Sequence, residues 1–331
     1  MNKHNIYLKK IVSLKISGKF LSSKRILGGH SGYVYTINVK LNSKINKFII
    51  KLSNIIGSKS LKDEKNEQRV YGGHSKSLVN NYKLLKSNNL KTFTLLSYSL
   101  PNKEIPYFYQ LISKLDGFSI REYLALNNNQ KELFKLAGIE FGKLHSITRS
   151  YDGWAKQDIP YKKNWEKSFF LALDLRLKYL IENKYFNKKD SKTLTTFIEN
   201  KKIKWTSPRE YVFSHVDGLQ GMVEYKKNKW IFNGHIDLED YRFTDQRFVL
   251  AGFEIGANYS TKKAPAVFWN EYLKFKKIDK SYEELKDLFK VFYFMSWVHM
   301  TDISLKNKKS SRKTNQIYLN KIKKLINKKC T

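Results

Sequence analysis

Cysteine is almost missing: Cys330 is the only one in 331 residues. That excludes an internal disulfide framework and a metal site built from several thiolates. Long apolar runs are missing as well. No stretch approaches the roughly 18 apolar residues that span a bilayer, and the most apolar run, VFYFMSWV at 291–298, suits a buried helix. The opening MNKHNIYLKK lacks the apolar core of a signal peptide. A cytoplasmic protein is the resulting expectation. Acid is scarce too, with 29 Asp and Glu against 63 Lys and Arg, a formal charge of +34.

Such a surplus suits nucleic acid or an anionic membrane surface, and KNKKSSRK at 306–313 and KIKKLINKK at 321–329 can bind phosphates. Yet lysine is spread along the whole chain beside abundant Asn and Ile, as AT-rich coding produces. No RRM, zinc-finger or helix-turn-helix signature accompanies the charge. Nucleic acid is therefore a disfavoured partner. What is present is 41% hydrophobic and 15% aromatic residues, the composition of a folded chain with a substantial core in one large domain or two smaller ones.

The first hundred or so residues read as strand-rich. VYTINVKL at 34–41 and KFIIKLS at 47–53 alternate or bunch β-branched residues, with SKIN between them as a hairpin turn. LVNNYKLLKSNN at 78–89 has helical spacing and an Asn-Asn stop. FTLLSYS and YFYQLIS read as two more strands. After LDG at 115–117 the period changes. Helices are expected over 130–147, 165–183, 190–200 and 283–300, interrupted by short strands at 211–215, 222–225 and 230–237. The fold class is α+β, a small antiparallel β-sheet lobe (1–113) before a larger, mainly helical lobe (114–331).

Three stretches carry chemistry. GGHSGYVY at 28–35 contains Gly29, Ser31 and Gly32 in a hairpin whose backbone can approach phosphate oxygens. Lys51, after three apolar residues in the next strand, can contact the α- and β-phosphates. HVDGLQGM at 215–222 and IFNGHIDLED at 231–240 each follow a short apolar strand. Asp217 is placed to accept or orient a hydroxyl proton, and Asp237 to hold Mg²⁺, which prefers hard oxygen ligands. The ordered set is more specific than any member, since surface carboxylates and glycine turns are common.

This order is similar to that of the aminoglycoside phosphotransferase and choline kinase-like family, whose fold is that of the protein kinases. HVDGLQGM aligns without a gap with the family's His-Gly-Asp-Leu-His-Pro-Gly-Asn loop, matching at His215, Asp217 and Gly221. IDLED at 236–240 resembles its Ile-Asp-Phe/Trp segment, TDQ at 244–246 its Gly-Asp-Pro segment, and LAGIEFGKLHSI its helix ending in Leu-His, here at His145. QLISKLDG resembles the hinge, and DGW at 152–154 the start of the substrate-binding insertion.

The resemblance implies a bilobal small-molecule kinase that transfers the γ-phosphoryl group of ATP (or GTP) to a hydroxyl of an antibiotic, sugar or amino-alcohol. It implies Lys51 on the phosphates, the backbone of Ser113 and Leu115 at adenine, Asp217 as base, His215 supporting the loop, and Asp237 on Mg²⁺. His145 and His235 are structural in this reading. The departures are Met222 where the loop carries a Mg²⁺-binding Asn, Val249 where an Asp braces the loop, and no placed helix Glu for Lys51. Glu64 and Glu67 lie upstream, and Asn80 and Asn81 stand nearer the expected point. A thioether is a poor ligand for a hard ion; Gln220, Glu239 and Asp240 offer hard oxygens nearby. An impaired pseudokinase is therefore the competing expectation, and a basic nucleic-acid binder the third. The net charge favours a neutral or anionic acceptor over a polycationic one.

Overall fold

The computed structural model describes residues 4–26, 32–53, 77–126, 130–156, 165–257, 264–304 and 308–327. Helix α1 (His4–Lys15) buries Leu8, Ile11 and Val12, spaced three and four apart so that they share one face. Strands β1 (Lys19–Ile26), β2 (Tyr33–Leu41) and β3 (Lys44–Ser53) follow, then helix α2 (Leu78–Ser87), β4 (Leu95–Ser99) and β5 (Phe108–Ser113). The strands form one antiparallel sheet in the order β1-β2-β3-β5-β4. Alternate residues Tyr35, Ile37 and Val39 of β2, with Ile50 and Leu52 of β3, pack with the buried face of α1. Lys51, out of phase by one residue, is carried to the opposite face of the sheet.

The expected hairpin is present, with its turn at Asn42–Ser43. Both residues have positive φ (42° and 69°), the backbone of a two-residue turn matched to strand twist. Strand β3 therefore takes in Lys44, Ile45 and Asn46 of the stretch expected to turn. Helix α1 and strand β1 were not foreseen, because exposed Ile6, Leu14 and Leu21 blur their apolar periods.

Past residue 114 come β6 (Phe118–Ser119), α3 (Ile120–Leu126), α4 (Lys131–His145), β7 (Thr148–Arg149), α5 (Trp165–Glu182) and α6 (Lys188–Ile203). Then follow β8 (Tyr211–His215), β9 (Gly221–Lys226), β10 (Lys229–His235), a 3₁₀ turn (Leu238–Asp240) and β11 (Tyr241–Thr244). Helices α7 (Gln246–Ala257), α8 (Ala266–Tyr272), α9 (Tyr282–Ser304) and α10 (Lys308–Ile326) complete the described elements. Two small sheets, β10-β9-β6 and β11-β8-β7, carry β10 and β8.

The main core lies among the helices, where Trp165 stacks on Phe169 with ring centroids 5.2 Å apart. Gly138 and Gly142 on α4 let α8 approach closely: a Cβ at Gly138 would lie 2.4 Å from the Phe268 carbonyl oxygen. The basic tracts near the chain's end turn out to lie largely on α10, which buries Leu319, Ile322 and Asn315 and pairs Lys323 with Asp190 at 2.6 Å. No helix among the described residues is long and apolar enough to cross a membrane.

Candidate active site

The site forms where β3 meets the segment after β10. Lys51 pairs with Glu239 in a short contact and with Asp237 Oδ1 at 3.3 Å. Burial alone would lower the pKa of this ammonium, but Glu239 and then Asp237 outweigh burial and raise it far above the ordinary lysine value. Glu64 and Glu67 lie outside the described residues. The described partners of Lys51 are on the segment expected to hold metal.

That segment has local reasons for its shape. Asp237 adopts the left-handed conformation (φ 55°, ψ 46°), which Asp tolerates better than most residues. Its side chain is 47% exposed and points to Lys51. From α2, the buried Asn81 donates through Nδ2 to the carbonyls of Leu238 (2.6 Å) and Tyr241 (2.8 Å). The residue standing where a Lys-pairing Glu was sought thus grips the backbone of the segment that carries Glu239.

Strand β8 delivers the second carboxylate. His215 accepts the Asp217 backbone N–H on Nδ1 at 3.0 Å, and Gly218, at φ +89°, turns the chain back toward β9. Tyr293 of α9 donates to the Val216 carbonyl at 2.5 Å. This hydroxyl braces the loop, whereas Val249 is fully buried in the core. Asp240 Oδ2 stands 3.7 Å from His215 Nε2. Burial would raise the Asp240 carboxyl, but the His215 imidazole holds it below its ordinary value. Asp217 is 29% exposed; its Oδ1 is buried with no hydrogen-bond partner among the described residues, and Arg121 Nη1 is 3.7 Å from its Oδ2.

Of the nucleotide-side residues, Gly29 and Ser31 lie outside the described residues. At Gly32 a Cβ would come within 2.6 Å of the Leu52 carbonyl oxygen, so a glycine lets the start of β2 lie close to the end of β3. Ser113 is tied to Thr94, donating its N–H at 2.9 Å and accepting Thr94 N–H on Oγ at 2.8 Å. Its N–H is thus engaged, whereas no backbone hydrogen bond involves Leu115 among the described residues.

On the metal side, Gln220 is buried and its backbone carbonyl accepts from the Tyr241 hydroxyl at 3.1 Å. Met222 sits in β9, paired with Ser119 and Gly234. No group of three or more His, Cys, Asp or Glu side chains suited to a metal occurs among the described residues. Asp237 is a half-exposed hard donor that fits one Mg²⁺; Glu239 is engaged by Lys51, and Met222 does not fit a second ion.

The two histidines read as structural sit in packed surroundings. His145 Nδ1 meets the Tyr272 hydroxyl at 2.8 Å and His235 Nδ1 the Tyr241 hydroxyl at 3.1 Å. Burial lowers both, His145 well below its ordinary value and His235 to about 3. The acid foreseen in EDYRFTDQ is partly unavailable, since Asp245 is fully buried against Arg247 at 2.5 Å.

Sequence reasoning missed Asn81's grip, Tyr293 and Arg121. Asn81 carried a signal, an amide where a carboxylate was sought. Tyr293 carried none, lying 77 residues from the carbonyl it braces.

No protein-family model matches the chain, and no curated protein matches it in sequence. Solved structures match it along nearly its whole length. Spectinomycin phosphotransferase APH(9)-Ia, in complex with ADP and spectinomycin, is 10% identical with a TM-score of 0.61, covering 97% of this chain and 96% of that one. Amicoumacin kinase hAmiN, in complex with AMP-PNP and Ca²⁺, is 12% identical with a TM-score of 0.60, covering 98% and 94%. A protein designated a fructosamine-3-kinase from Haemophilus somnus 129PT is 13% identical with a TM-score of 0.58, covering 97% and 95%. The chain has the bilobal, protein-kinase-like fold of these small-molecule kinases.

Proposed function

We propose that the chain is a small-molecule kinase that transfers the γ-phosphoryl group of ATP (or GTP) to a hydroxyl. The observation that carries this is the meeting of Lys51 with Asp237, 186 residues later in the chain; Asp217, on the loop after β8, is read as the base of the same site. We place the junction of the lobes at residues 113/114, just past β5. Lys51 holds phosphate oxygens, and the backbone of Leu115 meets the adenine ring. Glu239 orients Lys51. Asp217 takes the hydroxyl proton, and His215 and Tyr293 fix the loop that presents it. Asp237 is the residue that would hold Mg²⁺, which neutralises phosphate charge when bound. Phosphoryl transfer asks mostly for positioning and charge neutralisation, which these groups supply.

The experiment is ADP formation from Mg-ATP across a panel of hydroxyl compounds. Asp217→Asn should lower turnover by about 10²–10⁴-fold while ATP still binds. Undiminished turnover would remove Asp217 from the role of base.

Met222 favours one second reading, a nucleotide-binding module without transfer. Thermal stability with ATP, with and without Mg²⁺, separates the two, because a ligand stabilises the folded state it binds. Stabilisation by ATP that ignores Mg²⁺, with no ADP formed, belongs to the module; Mg²⁺-dependent stabilisation with turnover belongs to the kinase.

A further inference from the structure

The recess beside Asp217 carries a cation of its own. Arg121 on α3 places Nη1 3.7 Å from Asp217 Oδ2, beyond hydrogen-bond range. Its guanidinium has five N–H donors and makes no hydrogen bond among the described residues. The oxygen toward it is Asp217 Oδ2; Asp217 Oδ1 is closed to solvent and likewise without a partner among the described residues. Leu219, Phe253 and Gly256 complete the walls. At Gly256 a Cβ would lie 3.0 Å from Arg121 Nε, so the glycine leaves the guanidinium room. A partly exposed carboxylate and an unfilled donor fork thus share one small recess.

The surrounding charge points the same way. The loop from His215 to Met222 contains no Lys or Arg, and Arg121 is the cation found beside the base among the described residues. Glu254, on the same helix as Phe253, is buried against Lys290. Asp116 is paired with Lys114 at 3.1 Å. A polycation arriving here meets a like charge beside the base, which counts against it.

We propose that the acceptor is a small hydroxylated anion. Its hydroxyl sits on Asp217 and its phosphate or carboxylate on the Arg121 fork, a group whose planar geometry suits both anions. This rests on the kinase reading and names the acceptor for it. In the transfer, the hydroxyl oxygen bonds to the γ-phosphorus and its proton passes to Asp217. The bond from the γ-phosphorus to the β–γ bridging oxygen breaks, and ADP leaves. Arg121 fixes the acceptor and takes part in no bond change.

The test uses the full chain with matched acceptors: glucose, glucose 6-phosphate and gluconate, then ribose and ribose 5-phosphate, with kanamycin as polycation. The expected result is a kcat/KM at least about tenfold higher for an anionic member than for its neutral parent. Arg121→Ala should cut that ratio about tenfold or more, chiefly through KM, and Arg121→Lys should retain part of it. Phosphate and carboxylate arms show which anion is preferred. In parallel, calorimetric titration of the same anions without nucleotide should show binding that weakens about tenfold in Arg121→Ala. Equal efficiency for charged and neutral members, preference for kanamycin, or a ratio and affinity unchanged in Arg121→Ala would overturn the proposal. Should Arg121→Ala fail to fold, Arg121→Lys and Arg121→Gln carry the same comparison. Failure of the kinase reading looks different: no ADP forms with any acceptor, while the titration still decides whether Arg121 binds anions.

Discussion

Lys51 and Glu239 stand 188 residues apart in the chain and form an ion pair in which each side chain is only 11% exposed. The sheet and the segment after β10 are joined through it. Glu239→Gln keeps the side-chain shape and removes the charge, leaving Asp237 to face Lys51. Stability should fall by about 1–3 kcal/mol in urea unfolding. The KM for ATP should rise about tenfold as Lys51 loses its orientation. Unchanged nucleotide kinetics would show that Asp237 alone orients the lysine.

Asn81→Ala tests the grip of α2 on the same segment. The amide donates to two carbonyls from a fully buried position. Its removal leaves both acceptors short of a donor, and a loss of about 2–4 kcal/mol is expected in denaturant unfolding. Turnover should fall more than for an equally destabilising change in the α5–α9 core, because Glu239 and Asp237 are carried by the segment that loosens. Equal falls would make Asn81 a packing residue only.

Acid should destabilise the fold through His145 and His235. Both are held neutral by burial, His235 with a pKa of about 3 and His145 well below its ordinary value. Between that depressed range and the unfolded value near 6.5, the unfolded chain binds more protons than the folded one, so stability falls as pH falls. By pH 5 His235 should have cost about 2 kcal/mol relative to pH 8, with a further loss in the same direction from His145. The urea midpoint measured across this range checks it, and replacing His235 with Gln should flatten its share of the slope.

Much of the fold was legible because the deciding signals are local. The alternation in YVYTINVKL and KINKFIIKLS marks two strands, and its phase places Lys51 opposite Ile50 and Leu52. Asp217 and Asp237 could be singled out because each follows a short apolar strand. What was hidden is long-range. Nothing near Glu239 says that it meets Lys51 rather than a metal, and nothing near Tyr293 says that it reaches Val216. The hinge shows the same limit. Ser113 reads as an open backbone donor until Thr94, nineteen residues earlier, is seen to occupy it. Helix α1 was illegible for a different reason, since Ile6 and Leu14 remain exposed and spoil the stripe that Leu8, Ile11 and Val12 form.

The carboxylates around Lys51 also set the terms on which any anion can enter the cleft. The ammonium already has a resident counter-ion in Glu239 and a second in Asp237. A phosphate arriving there does not meet a bare charge; it takes over the place that Asp237 holds at 3.3 Å, while Glu239 keeps the lysine oriented. Binding at this point is an exchange of counter-ions inside the molecule rather than a release of salt from its surface. Its dependence on ionic strength should accordingly be shallow, despite the +34 charge of the chain.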